Sequence, residues 1–175
     1  MLKSNFLLSF PAHLPSEQHK APPVTEVCLG CICQAVSGCK QGAACEGDAC
    51  GLFRITWAYW ADAGKPTLKG QSPDATDAYP NCTNDPYCAA QAVQNYMKRF
   101  AQDCNGDGVI DCYDYMAIHK KGGYGCVGDL PFQYVNVFNQ CVAAVAVFAR
   151  RTVPACSLKA KYHFSISKTH LRDYY

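Results

Sequence analysis

Apolar side chains recur every three or four residues in several stretches of this chain, which predicts a mainly α-helical domain. The first stretch is Cys28–Ser37, where Leu29, Ile32 and Val36 fall on one side of a helix. Gly38 follows directly, and a glycine after an apolar-periodic run is a common helix end. We therefore expect a short helix here that ends before Gly38.

Three longer helices are predicted in the second half of the chain. Asp85 and Pro86 form a typical helix start, and this helix should run to about Gln102. The next helix covers Cys112–Lys120 and stops at a Gly-Gly pair, and the last begins at Pro131. The apolar faces of the first and last of these helices consist of Ala89, Val93, Tyr96, Met97 and Phe100, and of Phe132, Val135, Phe138, Val142 and Val145.

Strand signals are sparse. Gly51–Trp60 is apolar and aromatic, and we expect a small irregular or β portion near residues 40–60. Ala61–Pro80 is rich in Gly, Pro, Ser and Asp, which predicts a long loop. The predicted fold class is mainly α (α+β), with a minor irregular β portion.

Composition narrows the function classes. The net charge is +2 and only 17% of residues are charged, which argues against binding of nucleic acid by bulk charge. No run of about 18 apolar residues is present, so we expect no transmembrane anchor. Residues 1–27 resemble a short signal segment followed by a Pro-rich linker. We assign 28–148 to the folded domain and 149–175 to a poorly ordered basic tail.

Cysteine usage is the strongest compositional signal. The chain has 13 cysteines, and all but Cys156 lie between Cys28 and Cys141. An even set at this density predicts a disulfide framework, and therefore a secreted, extracellular protein. A zinc site is disfavoured because the five histidines are scattered rather than paired. Cys156 would be free or paired between chains.

Residues 103–114 match the twelve-residue calcium loop of EF-hands. The last ligand position carries Asp rather than the usual Glu, so binding should be weak, with a Kd of about 10⁻⁴–10⁻³ M. The alternative is an Asx-rich turn held by Cys104 and Cys112. A structural Ca²⁺ is thus the only metal expected, and no cofactor is needed for chemistry. The predicted ligands are Asp103, Asn105, Asp107, the carbonyl of Val109, Asp111 and Asp114.

Four segments of the chain, taken together, resemble the invertebrate-type (i-type) lysozyme family, also called destabilase-like, and its insect branch in particular. They are CLGCICQAVSGC (28–39), CGLFRITWAYWADAG (50–64), AVQNYMKRF (92–100) and DCYDYMAIHKKGGYGC (111–126). The resemblance implies a secreted lysozyme-like fold, a muramidase ancestry, and a role in innate immunity or bacterial digestion.

The resemblance also bears on the cysteines. The family commonly has cysteines where Ala63 and Ala92 stand, and losing both keeps the count even. The remaining twelve should form six bridges. Short separations favour Cys33–Cys39, Cys45–Cys50 and Cys82–Cys88. The partners of the other six stay open, namely those of Cys28, Cys31, Cys104, Cys112, Cys126 and Cys141.

Glycoside hydrolysis normally needs two carboxyl groups, one of which is protonated and donates to the leaving oxygen. The resemblance places this acid, a Glu, at Val36. The second carboxylate lies in a loop that is shortened here, where Asp48 matches only loosely. Glu46 is the only Glu of the domain, on the same loop. The two would act in an active muramidase, or would lie on an exposed turn.

The family's proposed isopeptidase activity would use a serine and a lysine, which the resemblance places at Ala49 and Thr56. His119 persists, and by itself is more typical of a helix end than of a catalytic base. Losing the acid and both members of the dyad favours a degenerate, non-catalytic homologue.

Trp57, Tyr59 and Trp60 would either stack on sugar rings or pack in the core. We expect a protein that binds bacterial peptidoglycan or a related glycan without cutting it. An active muramidase is one alternative. The other is a membrane-active antibacterial protein that uses Val142–Arg151 and the basic tail.

Overall fold

The computed structural model describes residues 24–40 and 45–152. Over these residues it contains six helices and a two-stranded sheet, which confirms the predicted mainly α class. Residues 1–23 and Cys156 lie outside the described residues, as does most of the predicted tail. In chain order the elements are α1 (Glu26–Ser37), β1 (Ala49–Cys50), β2 (Ile55–Thr56), α2 (Trp57–Asp62), α3 (Ala78–Asn84), α4 (Pro86–Phe100), α5 (Cys112–Lys121) and α6 (Phe132–Thr152).

The predicted helix ends follow from local capping. At α1, the Thr25 hydroxyl accepts a hydrogen bond from the Cys28 N–H at 3.1 Å. Gly38 ends the helix with a φ of 70°, a left-handed conformation that glycine adopts without steric cost. At α4, the Asp85 carboxylate accepts from the backbone N–H of the two residues after Pro86. The five residues predicted for the apolar face of α4 are all buried.

Helix α6 buries most of the predicted stripe but not its first residue. Phe138 is fully buried, and Val135 and Val142 are partly buried and pack against the core. Phe132 is 84% exposed, whereas Tyr134 is 5% exposed and its hydroxyl donates to the Met116 carbonyl at 2.8 Å. Tyr134 therefore takes the place at the start of the helix that was predicted for Phe132. The helix continues to Thr152.

The predicted small β portion is a short hairpin in which Ala49 pairs with Thr56. Between its strands, Gly51 has a φ of 71°, and a Cβ atom there would lie 1.7 Å from the Thr83 carbonyl oxygen, so only glycine fits. The prediction of a loop over residues 61–80 was wrong in part, because this range includes the end of α2 and the start of α3. These helices have six and seven residues, which is too short for a periodic pattern to appear.

Six disulfides join the described cysteines. The three predicted local bridges are confirmed. The other three connect distant segments: Cys28–Cys112, Cys31–Cys141 and Cys104–Cys126. Helix α1 is thereby covalently tied to both α5 and α6. Ala63 and Ala92, which replace the family's other two cysteines, are 5% and 0% exposed and belong to the core.

Candidate functional site

A cleft of about 380 Å³ opens beside the hairpin, where α1, α2 and the C-terminal end of α5 come together. Its walls combine small apolar side chains with a few polar and charged ones. The lining residues are Val36, Ala49, Arg54, Thr56, Ala58, Tyr59, Asp62, Tyr96, His119, Lys120 and Gly122.

Three of the positions at which the resemblance places catalytic side chains line this cleft, whereas Asp48, the loose match to the second carboxylate, does not. Val36 comes from α1, and Ala49 and Thr56 come from the two strands of the hairpin. The Thr56 hydroxyl accepts a hydrogen bond from the Tyr59 N–H at 3.3 Å and so caps α2. Val36 and Ala49 carry no reactive group, and the hydroxyl of Thr56 is engaged as the helix cap. None of the three side chains is a carboxylic acid or an amine.

The charged groups of the cleft are partly compensated by neighbours. Arg54 forms an ion pair with Glu46 at 2.8 Å, and Asp62 forms one with Arg99 at 3.3 Å. Lys120 is exposed at the end of α5. An ionised carboxylate is purely a hydrogen-bond acceptor, whereas Arg and Lys are purely donors. The cleft therefore offers both kinds of polar partner to a ligand rich in hydroxyl and carbonyl groups.

His119 fills a structural position in the cleft wall. Its Nε2 lies 2.9 Å from the Phe53 carbonyl oxygen, which can only accept, so Nε2 carries the proton. Nδ1 then accepts from the Tyr59 hydroxyl at 3.2 Å. Burial lowers the pKa of His119 to about 4, and burial also raises the pKa of Tyr59 well above its usual value. The neutral pair ties α5 to α2 and leaves His119 without a nitrogen free to act as a base.

The three aromatic side chains predicted to contact sugar differ in exposure. Trp57 is 56% exposed, and the Lys65 Nζ lies 6.0 Å from its ring centre. Tyr59 is 9% exposed and stacks on Tyr96 with ring centres 3.6 Å apart. Trp60 is 2% exposed, and its indole N–H donates to a backbone carbonyl. The position of Trp60 does not support its predicted role, and Trp57 alone presents a ring face to solvent.

Glu46 and Asp48 lie on the turn that the Cys45–Cys50 bridge closes. The Glu46 side chain is 71% exposed and engaged with Arg54, and Asp48 is exposed as well. Neither side chain lines the cleft. General acids of glycosidases are usually held in apolar surroundings. The geometry therefore favours the exposed-turn interpretation over the predicted catalytic pair.

Two of the predicted calcium ligands, Asp111 and Asp114, accept hydrogen bonds from backbone N–H groups. Asp114 is fully buried, and its two oxygens accept from the N–H of Cys104 at 2.7 Å and of Asp111 at 2.8 Å. Asp111 in turn caps α5 by accepting from the Tyr113 N–H at 2.8 Å. Both carboxylates are thus occupied by backbone amides that would otherwise lack partners.

In the exposed part of the same loop, side-chain oxygens also accept hydrogen bonds from backbone N–H groups. The two oxygens of Asp103 accept from the N–H groups of Gly106 and Gly108, and these bonds lower its pKa, the Gly108 bond most of all. Asn105 accepts from the Asp107 N–H at 2.9 Å. Within 24–40 and 45–152, no group of three or more His, Cys, Asp or Glu side chains is arranged to hold a metal ion. These contacts favour the Asx-rich turn, and calcium binding by this loop stays a prediction.

Six lining residues were not predicted as site residues, and four of them carry polar or charged groups: Arg54, Asp62, Tyr96 and Lys120. For two of these residues, the sequence contained a feature that could have pointed to the site. Asp62 ends the Tyr-Trp-x-Asp run of the second family-like segment, and Lys120 follows His119 in the fourth. Tyr96 was assigned to the apolar face of its helix, which gives no hint that its ring also reaches the cleft.

The chain is similar in sequence to a known protein family and to lysozymes of two invertebrates. The Destabilase family profile matches residues 25–141. Invertebrate-type lysozyme 3 of Caenorhabditis elegans is 36% identical over 119 residues, which cover 65% of this chain and 84% of that protein. A lysozyme of Meretrix lusoria is 37% identical over 117 residues, which cover 65% of this chain and 86% of that protein.

A solved structure is similar in three dimensions. It is the crystal structure of Aeromonas hydrophila PliI in complex with Meretrix lusoria lysozyme, with a TM-score of 0.54 and 33% identity. The match covers 67% of this chain and 89% of the matched chain. The segment matched by the family profile contains every residue that lines the cleft.

Proposed function

This chain belongs to the Destabilase family of invertebrate-type lysozymes, and we propose that it binds bacterial cell-wall glycan without hydrolysing it. The observation that carries the proposal is that Val36, Ala49 and Thr56 meet in one cleft. The site of the family's chemistry is thus still an open cleft of about 380 Å³, a volume within the usual range for small-ligand sites. What it lacks is the set of reacting groups.

The absence of hydrolysis follows from the number and kind of carboxyl groups. Both stereochemical routes of glycoside hydrolysis need a proton donor and a second carboxylate on opposite sides of the scissile bond. Asp62 is the only carboxylate among the lining residues, and it pairs with Arg99. Loss of a general acid alone costs about 10²–10⁴-fold in rate.

Binding would use the groups that remain. Trp57 is 56% exposed and follows Thr56 of the cleft wall in the sequence; it is not itself a lining residue, but its ring would be available for stacking on a sugar that extends from the cleft. Asp62 accepts hydrogen bonds from sugar hydroxyls, and Arg54 donates to hydroxyl or carbonyl oxygens. Saccharide sites commonly combine one aromatic face with a few converging polar groups.

We also infer that the protein is secreted and acts in innate immunity or bacterial digestion. Six disulfides in one small domain support an oxidising compartment. The muramidase alternative would depend on Glu46 and Asp48, which lie outside the cleft. For the membrane-active alternative, no helix within residues 24–40 and 45–152 is long and apolar enough to cross a bilayer.

Two assays on the full oxidised chain test the proposal. In the first, a suspension of Gram-positive cell walls should stay turbid. In the second, the chain should co-sediment with insoluble peptidoglycan. Trp57→Ala should weaken co-sedimentation about tenfold, the size expected for truncating an aromatic anchor. Tyr87→Ala is the matched control, because Tyr87 is similarly exposed (46%) on another helix.

The outcomes separate the alternatives. Clearing of the suspension that is lost in Glu46→Gln would establish the muramidase. Absence of both clearing and co-sedimentation would overturn the glycan-binding proposal.

A further inference from the structure

Residues 81–83 of the chain are Asn-Cys-Thr, the only Asn-x-Ser/Thr sequence among its 175 residues. This sequence is the acceptor for N-linked glycosylation in proteins that enter the secretory pathway. A glycan is bulky and polar, so the folded domain can carry one only on a side chain that faces solvent. The position of Asn81 in the fold therefore decides whether the acceptor sequence is compatible with the structure.

Helix α3 turns Asn81 towards solvent. The inner side of the helix consists of three fully buried residues, Ala78, Cys82 and Thr83. Asp77, Asn81 and Asn84 follow one another at spacings of four and three residues, which places them together on the opposite face. Asp77 and Asn84 are exposed and Asn81 is partly exposed. We call these three residues the outer face of α3.

The Asn81 side chain makes a surface contact that a glycan can leave intact. Its Nδ2 donates to an oxygen of Asp77 at 2.9 Å. A carboxylate only accepts hydrogen bonds, so the nitrogen of the amide, and not its oxygen, faces Asp77. Nδ2 carries two hydrogens, and N-glycosylation replaces one of them. The remaining N–H can keep the bond to Asp77, so the fold accommodates a sugar on this atom.

The rest of the acceptor sequence becomes enclosed only when the domain folds. In the folded protein the Thr83 hydroxyl donates to the Tyr79 carbonyl at 2.8 Å, and Cys82 is bonded to Cys88. A helix of seven residues is not stable alone in water, so α3 depends on packing against α4 and the hairpin. The second cysteine of the bridge follows six residues later in the chain. Residues 81–83 are therefore extended and open to a transferase while the chain is being translocated.

We propose that Asn81 carries an N-linked glycan, an inference that rests on the secretion proposed above. In this modification the Asn81 Nδ2 forms a bond to the anomeric carbon of the first sugar. The bond from that carbon to the pyrophosphate of a lipid-linked oligosaccharide breaks, the lipid pyrophosphate leaves, and the amide gives up one proton. No residue of the outer face of α3 lines the cleft, so the glycan leaves the cleft open.

Expression of the full chain in cultured eukaryotic cells, with collection of protein from the medium, tests the proposal. Treatment of the secreted protein with peptide N-glycosidase should lower its mass by one N-linked glycan. The enzyme leaves an aspartate at the acceptor position, which peptide mass spectrometry should locate at residue 81. Asn81→Gln keeps a side-chain amide on the same surface, and it should be secreted without the glycan.

Two variants serve as matched controls. Asn84→Gln changes the neighbouring amide of the outer face of α3, which is not part of an acceptor sequence, and it should keep the glycan. Thr83→Ser keeps the hydroxyl that both the acceptor sequence and the Tyr79 contact need, and it should also be glycosylated.

The outcomes separate this inference from the proposed function. A secreted wild type whose mass the glycosidase leaves unchanged would overturn the glycan at Asn81 and leave secretion and peptidoglycan binding intact. A glycan that persists in Asn81→Gln would overturn the assignment to this residue. A chain that stays inside the cells without a glycan would overturn the proposed secretion, and this inference with it.

Discussion

The cleft and the 103–114 loop differ in where their polar side chains come from and in what those side chains contact. The cleft gathers residues from α1, the hairpin, α2 and α5 that are far apart in the chain. The loop holds four aspartates within twelve residues, yet Asp103 and Asp114 each direct both oxygens to separate backbone amides. In the loop, neighbouring carboxylates therefore serve the backbone, whereas packing gathers the cleft from distant positions.

The difference has a simple physical basis. Backbone N–H groups in an irregular segment need hydrogen-bond partners, and a short carboxylate side chain is the nearest acceptor. In the cleft, the backbone groups of the helices are mostly satisfied within the helices, so side chains are free to face a shared space. The following variants test one region or the other, from the largest expected effect to the smallest.

The largest effect is expected for Val36→Glu in the cleft. Restoring a carboxyl at the family's acid position should raise lysis of cell walls about 10²-fold over the wild type, at the low end of what a general acid contributes. A turbidity assay measures the gain. Val36→Gln has nearly the same shape without a proton to give, and it should stay at the wild-type level. A folded but inactive Val36→Glu would contradict the prediction that restoring the acid alone is enough, and would point to the missing second carboxylate.

In the loop, the largest effect is expected for Asp114→Ala. The change leaves the buried N–H groups of Cys104 and Asp111 without acceptors, which should cost about 3 kcal/mol. The melting temperature should fall by roughly 10 °C, as calorimetry would show. Asp107→Ala removes an exposed carboxylate of the same loop and should cost less than about 1 kcal/mol. Equal losses in the two variants would contradict the structural role of Asp114.

The His119–Tyr59 pair predicts a pH dependence. Because the folded pKa of about 4 lies below the unfolded value near 6.5, the unfolded state binds the proton more readily. The contribution of the neutral pair is fully present above the unfolded pKa and is lost as pH falls towards 4. From about pH 7 to about pH 5 the loss should be about 2 kcal/mol.

Urea unfolding of wild type and His119→Gln at both pH values measures this effect. The amide of Gln keeps one donor and one acceptor but has no proton to titrate, so the variant should lose less stability over the same interval. Identical pH dependence in the two proteins would show that His119 is not buried in its neutral form.

The smallest effect is expected for calcium. The Asx-rich turn predicts that about 1 mM Ca²⁺, compared with chelator, changes the melting temperature by less than about 1 °C. A site with a Kd near 10⁻⁴ M would instead add about 1.4 kcal/mol and raise it by several degrees. Such a rise, abolished by Asp103→Asn, would restore the calcium interpretation and remove the contrast between the two regions.

Much of the fold could be predicted from local pattern. The ends of α1, α4 and α5 followed from capping residues such as Asp85 and Gly38, and the short bridges followed from cysteine spacing. The first buried residue of α6 could not, since Phe132 and Tyr134 both lie near the start of the helix and only packing against α1 and α5 decides between them. Short α2 and α3 escaped detection because two turns are too few to show a period.

The sequence by itself determined the family and the helix-rich class, and it led to the prediction that the catalytic side chains are missing, because each depends on residue identity or on local spacing. Only the tertiary structure decided that Val36, Ala49 and Thr56 share one cleft with Asp62 and His119, and that Trp57 is exposed while Trp60 is buried. It also showed that Asp103 and Asp114 accept hydrogen bonds from backbone N–H groups of the acidic loop. These outcomes depend on the directions of side chains in packed elements, which hydrogen bonding and burial fix only once the whole chain is folded.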